Sequence, residues 1–207
     1  MNETNRQVVL RSRPSGLVAD ENVELVETDV PALGDGEALV RTSLVGIDAA
    51  VRTWLDDQPG YLPPVQLGEV VRAATVGEVV ATNCEAYQVG DVVTTLGGFS
   101  DYSIARDDLY TTVMGRMSEG TAGIDRAGLL ALFGSTGATA YFGMHDIGKP
   151  QAGETVLVSA AAGATGSIAG QLAKAAGARV VGLAGSDEKC TAVVDDFGFD
   201  ACINYRT

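Results

Sequence analysis

The sequence predicts an α/β protein with two domains, a β-rich domain over residues 1–123 and an α/β domain over residues 124–207. In the first domain, short β-type segments are broken by glycine, proline and aspartate. In the second domain, an apolar run at 155–158 leads into a turn of small residues at 159–167. Strand and helix patterns then alternate to the last residue, which is typical of one βαβαβ half of a doubly wound parallel sheet.

Strands are predicted to dominate the first domain because its β-branched and apolar residues occur in short runs rather than at a helical period. A helical pattern begins only at residues 126–142, where Leu129, Leu130 and Phe133 are apolar, and we place the domain junction beside this helix. The predicted strands of the first domain cover residues 8–11, 24–27, 38–44, 69–80, 91–95 and 101–105.

The second domain is predicted to open with a strand at residues 155–158 that leads into a helix. Apolar residues recur in this helix at i, i+4, i+7 and i+8, so they are predicted to form its buried face. Gly177 follows as the expected C-terminal stop. The residues of this predicted buried face are Ile168, Leu172, Ala175 and Ala176.

A second strand at 180–183 and a third at 201–205 complete the predicted βαβαβ unit. Ser186 is predicted to cap the helix between them, and Gly198 to end it. The residues predicted to share one face of this helix are Cys190, Val193, Val194 and Phe197.

The turn after the first strand of this unit is typical of a dinucleotide-binding site. Small residues let a pyrophosphate approach the backbone, where free N–H groups and the helix dipole favour negative charge. Gly163 is predicted to allow the close approach and Gly166 to let the helix lie against the sheet, with Ala164 and Thr165 between them in the same site. Ala161 replaces the first glycine of GxGxxG. An ordinary strand-to-helix glycine is the alternative interpretation, and the surrounding strands and helices favour cofactor binding.

The acidic and apolar composition argues against some classes of binding partner. The 207 residues are 46% apolar and carry a net charge of −13, with a pI near 4.3. The charge disfavours nucleic acid and anionic membranes as partners, and no stretch reaches the roughly 18 apolar residues that span a bilayer. The polar N-terminus and three widely spaced cysteines, Cys84, Cys190 and Cys202, lead us to expect a soluble cytoplasmic protein with free thiols.

The residue pattern argues against metal and nucleophilic catalysis. Zinc sites need cysteine, histidine and carboxylate ligands at defined spacings, whereas Gly68 runs directly into Glu69 and residues 92–102 contain no cysteine. The only histidine, His145, has no partner at a motif spacing and is interpreted as a capping or surface residue. A Ser-His-Asp triad is also poorly supported. We therefore expect no metal site, and the sequence assigns no catalytic residue.

Short motifs spread over most of the chain match those of one enzyme superfamily. They are YLPP at 61–64, LGEV at 67–70, GDVV at 90–93, DY at 101–102, TAY at 139–141, SAAAGATGS at 159–167, AGSDEK at 184–189 and INY at 203–205. With these motifs the chain resembles the medium-chain dehydrogenase/reductase superfamily, in its zinc-free branch of leukotriene, prostaglandin and curcumin reductases. The resemblance implies an N-terminal GroES-like β domain, a Rossmann-type doubly wound domain of which only the first βαβαβ half is present, and a homodimer.

The chain also departs from this branch in three places. Asp48, Ala49 and Ala50 stand where the branch usually has Asp-Pro-Tyr, and Phe99 stands where tryptophan is common. Relatives continue beyond the position of Thr207 with a second mononucleotide half and the tyrosine usually credited with assisting protonation. We expect either a truncated chain or a missing surface that is supplied from elsewhere.

The end of the second predicted strand favours NADP over NAD. An NAD enzyme places an acid about 20 residues after the glycine turn, whereas Gly185 and Ser186 occupy this place. Lys189 in the first helical turn opposes the helix dipole unless an anion joins it, and a 2′-phosphate would satisfy Lys189, the Ser186 hydroxyl and the free N–H groups together. Two alternatives remain open: Lys189 as a surface lysine balanced by Asp187 and Glu188, and Asp187 as a ribose ligand.

The resemblance implies the same role for Lys189 and adds two residues to the cofactor site. It places Tyr205 beside the phosphate or adenosine and Thr139 beside the nicotinamide, whereas an ordinary strand-end aromatic and simple helix packing are the alternatives. The resulting hypothesis is an NADPH-dependent reductase of the C=C bond in α,β-unsaturated ketones or aldehydes. Quinone reduction with the same cofactor and fold, and a noncatalytic binding or structural role, are the alternative functions.

Overall fold

The structure is a computed structural model that describes residues 4–116 and 123–207. Its internal contacts separate into two compact units, Met1–Leu130 and Ala131–Thr207. The predicted domain boundary after residue 123 stays a prediction. None of the described helices combines the length and the apolar character needed to cross a membrane.

Strands are the main secondary structure of the described part of the first unit. They are β1 (Thr4–Leu10), β2 (Val23–Asp29), β3 (Glu37–Val45), β4 (Thr75–Thr82), β5 (Asp91–Thr95), β6 (Tyr102–Arg106) and β7 (Thr112–Arg116), with a short helix α1 (Ala50–Trp54) between β3 and β4. The order β6-β3-β4-β5-β7 forms a five-stranded antiparallel sheet, and β1 pairs with β2. Alternate residues fill its interior, where Val40, Val79 and Val93 are fully buried.

Six predicted strands correspond to β1 through β6, and β5 has the predicted limits. The prediction over 69–80 is wrong in its first half, because the strand begins only at Thr75. Val71 and Ala73 lie outside any strand but are buried. Their alternation with exposed or half-buried residues therefore resembles the sequence pattern of a β-strand. The sequence pattern missed α1 and β7, and β7 pairs with β5 through a register shift that interrupts the alternation of side chains.

The second unit is built around a three-stranded parallel sheet. Helix α2 (Arg126–Phe133) spans the division between the units and is followed by α3 (Ser135–Phe142), a π-helical segment (Gly143–Gly148), β8 (Thr155–Val158), α4 (Ala164–Ala175), β9 (Arg179–Ala184), α5 (Asp187–Asp195) and β10 (Ala201–Asn204). The strand order is β10-β9-β8, with α4 and α5 as the crossover helices. The predicted α/β class with one βαβαβ half is confirmed.

The helical pattern predicted over residues 126–142 is confirmed in α2 and α3, which cover this range except for a break at Gly134. This residue is extended (φ −79°, ψ −176°) and forms the N-cap of α3. A glycine is also required at position 137, where a Cβ would lie 2.6 Å from the carbonyl oxygen of Ala131 in α2. The residues at 126–142 therefore form two helices, and Gly137 of α3 lies close to the backbone at the end of α2.

The buried face predicted for α4 is also wrong. Gly170 and Ala173 are the buried residues of this helix, whereas Ala175 and Ala176 are exposed. A Cβ on Gly170 would collide with the Phe199 ring, so small residues are required on the buried face. Ile168 and Leu172 are half-buried. Leu172 lines a cleft of about 610 Å³ together with Ala175, Ala176, Tyr141, Met144 and His145.

Helix α5 follows its prediction more closely. Ser186 is the N-cap, and Val193 is buried against the sheet. The helix ends at Asp195, so Phe197 lies beyond its last turn, and Val194 is 36% exposed. The face predicted from Cys190 to Phe197 is therefore correct for Val193 and wrong for Val194, and Phe197 packs against the same core as Val193 although it lies beyond the helix.

Candidate dinucleotide-binding site

The turn between β8 and α4 lies beside the end of β9. The Ala161 amide donates a hydrogen bond to the Leu183 carbonyl of β9 at 3.0 Å, and the Gly163 amide donates to the Ala160 carbonyl at 2.8 Å. Ala160 has a left-handed φ of 50°, and Ala161 is fully buried. These contacts hold the turn over the carboxyl ends of two neighbouring parallel strands, where ligands bind in open α/β sheets.

The first turn of α4 has the features of an anion site. Its N-cap is Gly163, which has no side chain to cap the helix. The N–H groups of Ala164, Thr165 and Gly166 occupy helix positions that have no intrahelical acceptor. A Cβ on Gly166 would press on the Ala160 carbonyl group and lie 3.1 Å from the Cα of Ala161. The glycine thus brings the positive end of the helix dipole close to the turn.

The start of α5 provides a capped helix and a cation. The Ser186 hydroxyl oxygen accepts a hydrogen bond from the Lys189 amide at 3.3 Å, which confirms the predicted cap. The hydroxyl hydrogen remains for another acceptor. The Lys189 side chain is exposed and forms no ion pair with any residue in 4–116 or 123–207. The Asp187 carboxylate, by contrast, already has a side-chain partner, because its Oδ1 accepts a hydrogen bond from Asn204 Nδ2 at 2.8 Å.

Gly185, Tyr205 and Arg206 meet at the ends of β9 and β10. The Tyr205 amide donates to the Ala184 carbonyl at 3.1 Å, which continues the strand pairing by one residue. A Cβ on Gly185 would lie 2.8 Å from the Tyr205 hydroxyl oxygen and 3.5 Å from Arg206 Nε. The Arg206 guanidinium carbon lies 6.0 Å from the centre of the Tyr205 ring. The structure therefore adds Arg206, which the sequence analysis missed, to the predicted residues at this edge.

Thr139 lies on a different element from the turn and the two strand ends. It is an exposed residue of α3, and its hydroxyl donates to the Ser135 carbonyl of the same helix at 2.6 Å. This hydrogen bond satisfies the hydroxyl within α3. The predicted role of Thr139 beside the nicotinamide stays a prediction.

The histidine lies on the surface of the second unit. The His145 side chain is 67% exposed, and its Nδ1 lies 3.2 Å from Asp146 Oδ1. Its ring stacks on Tyr141 with the centroids 5.1 Å apart. Within residues 4–116 and 123–207, no three His, Cys, Asp or Glu side chains are grouped so that they could hold a metal ion.

An acidic residue fixes the segment that leads into β10. Asp200 Oδ1 accepts a hydrogen bond from Lys174 Nζ at 2.8 Å, and Oδ2 accepts one from the Val180 amide at 2.6 Å. The Lys174 hydrogen bond, with that of the Val180 amide, holds the pKa of Asp200 below its ordinary value. The carboxylate thereby connects α4, β9 and the start of β10 at the amino ends of the strands, opposite to the candidate site.

The chain is similar to one family of oxidoreductase domains and to several named reductases. The family described as the N-terminal domain of oxidoreductase matches residues 6–113. The NADPH-dependent curcumin reductase of Escherichia coli K12 is 41% identical over 205 residues, which are 99% of this chain and 57% of that protein. Prostaglandin reductase 1 of Mus musculus is 36% identical over 198 residues, which are 96% of this chain and 57% of that protein.

A solved structure shares the fold described above. The crystal structure of CurA in complex with NADPH from Vibrio vulnificus has a TM-score of 0.84 and 36% identity, and the match covers 98% of this chain and 58% of that chain. The chain thus spans less than two thirds of the length of the relatives that it matches. The family match over more than half of the residues, together with these relatives, shows that the chain belongs to the zinc-free branch of the medium-chain dehydrogenase/reductase superfamily.

Proposed function

We propose that this protein is a zinc-independent, NADPH-dependent oxidoreductase that reduces the C=C bond of α,β-unsaturated ketones and aldehydes. The observation that carries the proposal is that the glycine turn follows β8, the cap of α5 and Lys189 follow β9, and Arg206 follows β10, so that all of them lie at the carboxyl ends of the parallel strands. The names of the curcumin and prostaglandin reductases that the chain resembles support the same class of reaction.

The residues at this end of the parallel strands match the two anionic groups of NADP, the pyrophosphate and the 2′-phosphate. The first turn of α4, from Gly163 to Gly166, would hold the pyrophosphate with its amides. Lys189, Arg206 and the Ser186 hydroxyl would hold the 2′-phosphate, because all three are hydrogen-bond donors at the end of β9 or β10. The exposed Tyr205 ring, across Gly185, would lie beside the adenosine.

The arrangement supports NADP over NAD. An NAD site uses a carboxylate to bind the ribose hydroxyls, and the neighbouring carboxylate of Asp187 is already hydrogen-bonded to Asn204. The chain carries a net charge of −13, so a phosphate is repelled at long range and must be held by local cations. Lys189 and Arg206 supply that local positive charge.

Bound NADPH would supply a hydride to the β-carbon of the unsaturated substrate. The part of the chain described here would bind and orient the cofactor through the turn and the two strand ends, and Thr139 would contact the nicotinamide side. No side chain is assigned as the proton donor.

The proposal also includes that the protein is a homodimer and that it is located in the cytoplasm. Light scattering tests the homodimer, and cell fractionation tests the location.

Calorimetric titration with NADPH and NADH tests the cofactor assignment. Micromolar binding of NADPH and at least about tenfold weaker binding of NADH are expected, because only NADPH carries the phosphate that the cations contact. Lys189→Met and Arg206→Ala should each weaken NADPH about tenfold and change NADH little. Arg179→Ala is the matched control, because this exposed arginine lies at the opposite end of β9. Equal binding of both nucleotides would contradict the assignment.

Stopped-flow oxidation of NADPH tests the reaction itself. Enones and alkenals are expected to oxidise the cofactor, with a saturated product. A panel of quinones run beside them separates the alternative of quinone reduction. Binding of NADPH without oxidation by either panel would leave a cofactor-binding protein and refute the proposed reaction.

A further inference from the structure

Two cysteines lie next to each other across the junction between α5 and β10. Cys190 is on the second turn of α5, and Cys202 is on β10 opposite Gly182. A Cβ on Gly182 would lie 3.3 Å from the Cys202 sulfur and 2.9 Å from Val193 Cγ1. The Cys202 sulfur therefore points to the face of the sheet on which α5 packs, and Cys190 lies one turn before Val193 on the same side of that helix.

The neighbouring pair of residues shows that these side chains share one register. Asp187 Oδ1 accepts a hydrogen bond from Asn204 Nδ2 at 2.8 Å. Cys190 follows Asp187 by three residues on the helix, and Cys202 precedes Asn204 by two residues on the strand. Both steps keep a side chain on the same face of its element. The Cys190 and Cys202 side chains are thus the next pair, after Asp187 and Asn204, that face each other where α5 packs on β10.

Both thiols are free and half-buried. Burial, reinforced by the neighbouring Cys190 thiol, raises the pKa of Cys202 to about 11. At neutral pH Cys202 is therefore protonated and reacts slowly with an electrophilic sulfur.

We propose that Cys190 and Cys202 are a dithiol pair that a low-molecular-weight disulfide oxidises to an intramolecular disulfide, and that this bond weakens NADPH binding. The Cys190 thiolate attacks the disulfide of oxidised glutathione and releases one glutathione thiol. The Cys202 sulfur then displaces the second glutathione from Cys190, and the Cys202 thiol proton passes through water to the departing glutathione thiolate. In total, two protein thiols are oxidised, one glutathione disulfide is reduced to two thiols, and one sulfur–sulfur bond is exchanged for another.

The effect on the cofactor rests on the proposed function and follows from position. Cys190 is bonded directly to Lys189, and Cys202 precedes Tyr205 by three residues. Two neighbouring thiols must move closer to reach the roughly 2.05 Å of a disulfide. This movement would shift the first turn of α5 by about an ångström relative to the end of β10, and we expect NADPH affinity to fall about tenfold.

The test starts from a Cys84→Ser chain, since Cys84 lies in the first unit and would otherwise form its own adduct. This chain is incubated with oxidised glutathione, and intact mass and peptide mapping are recorded. The expected product is two hydrogens lighter than the reduced chain, with Cys190 linked to Cys202. In the Cys84→Ser/Cys190→Ser chain, a glutathione adduct on Cys202 or no reaction is expected. Calorimetry then compares NADPH binding before oxidation, after oxidation and after reduction with dithiothreitol.

Each result decides one part of the proposal. A lasting glutathione adduct without closure, or no reaction at Cys190, would overturn the dithiol pair. A closed disulfide with unchanged NADPH affinity would overturn its effect on the cofactor. If the reduced chain fails to bind NADPH, the proposed function and the effect on the cofactor both fail, while the mass spectrum still decides whether the disulfide forms.

Discussion

Replacing Gly170 with alanine tests how closely α4 packs against the second unit. A Cβ at this position would lie 2.6 Å from Cε2 of Phe199 and closer still to Cζ and Cε1. Carbon atoms in good van der Waals contact are about 3.5 to 4.0 Å apart. Phe199 is only 3% exposed and belongs to the core of this unit, so its ring has little free space into which to move. Either the ring or the helix must shift by about an ångström or more.

The expected cost follows from two opposing effects. Forcing an extra methyl group into a packed core costs about 1 to 3 kcal/mol. Alanine is favoured over glycine inside a helix by up to about 1 kcal/mol. With an overlap this large, we take the upper end of the packing cost, which leaves a net loss of about 2 kcal/mol. For a protein of this size, such a loss corresponds to a fall in Tm of about 4 to 8 °C.

Gly143→Ala is the matched control for this change. Gly143 is also helical (φ −59°, ψ −42°), and a Cβ there meets no described atom within 4 Å. This variant should be as stable as the parent or more stable by up to about 1 kcal/mol. Thermal and urea unfolding are followed by far-UV circular dichroism, with hydrogen exchange assigning the change to α4. Equal stability of the two variants would refute the packing argument, whereas Phe199→Leu should recover part of the loss in the Gly170→Ala chain.

Further outcomes concern the turn, the strand ends and the buried network. Gly166→Ala should weaken NADPH at least about tenfold in calorimetry, because its Cβ would push α4 away from the Ala160 carbonyl, and binding at the parent affinity would contradict this. Asp200→Asn should lower Tm at neutral pH, because the pKa of the folded-state carboxylate is below its ordinary value. The stabilisation is present above the unfolded-state pKa and is lost as pH falls through the lower folded-state pKa. The Tm difference from the parent should therefore shrink below about pH 4, and a constant difference would contradict that origin.

The sequence predicted elements that have a clear period and clear ends. Strand β5 follows Gly90 and has buried residues at nearly every position, so its limits are as predicted. Helix α1 was missed because it is short, although Asp48 Oδ1 accepts a hydrogen bond from the Ala50 amide at 2.7 Å and is the local signal for its start. The face of α4 was missed for a different reason. Periodicity detects large apolar residues such as Leu172, whereas close packing against the Phe199 ring required Gly170.

In the candidate site, too, the features set by consecutive residues could be predicted, whereas those set by strand pairing could not. Ser186 could be identified as a cap because capping depends on a few consecutive residues. Arg206 could not, because its position depends on the parallel register that places Asn204 opposite Ala184. That register brings the tail of β10 across Gly185, where a side chain would collide with Tyr205. The glycine at the end of β9 is therefore explained by the tail of the next strand, and the second cation of the proposed phosphate site follows from the same contact.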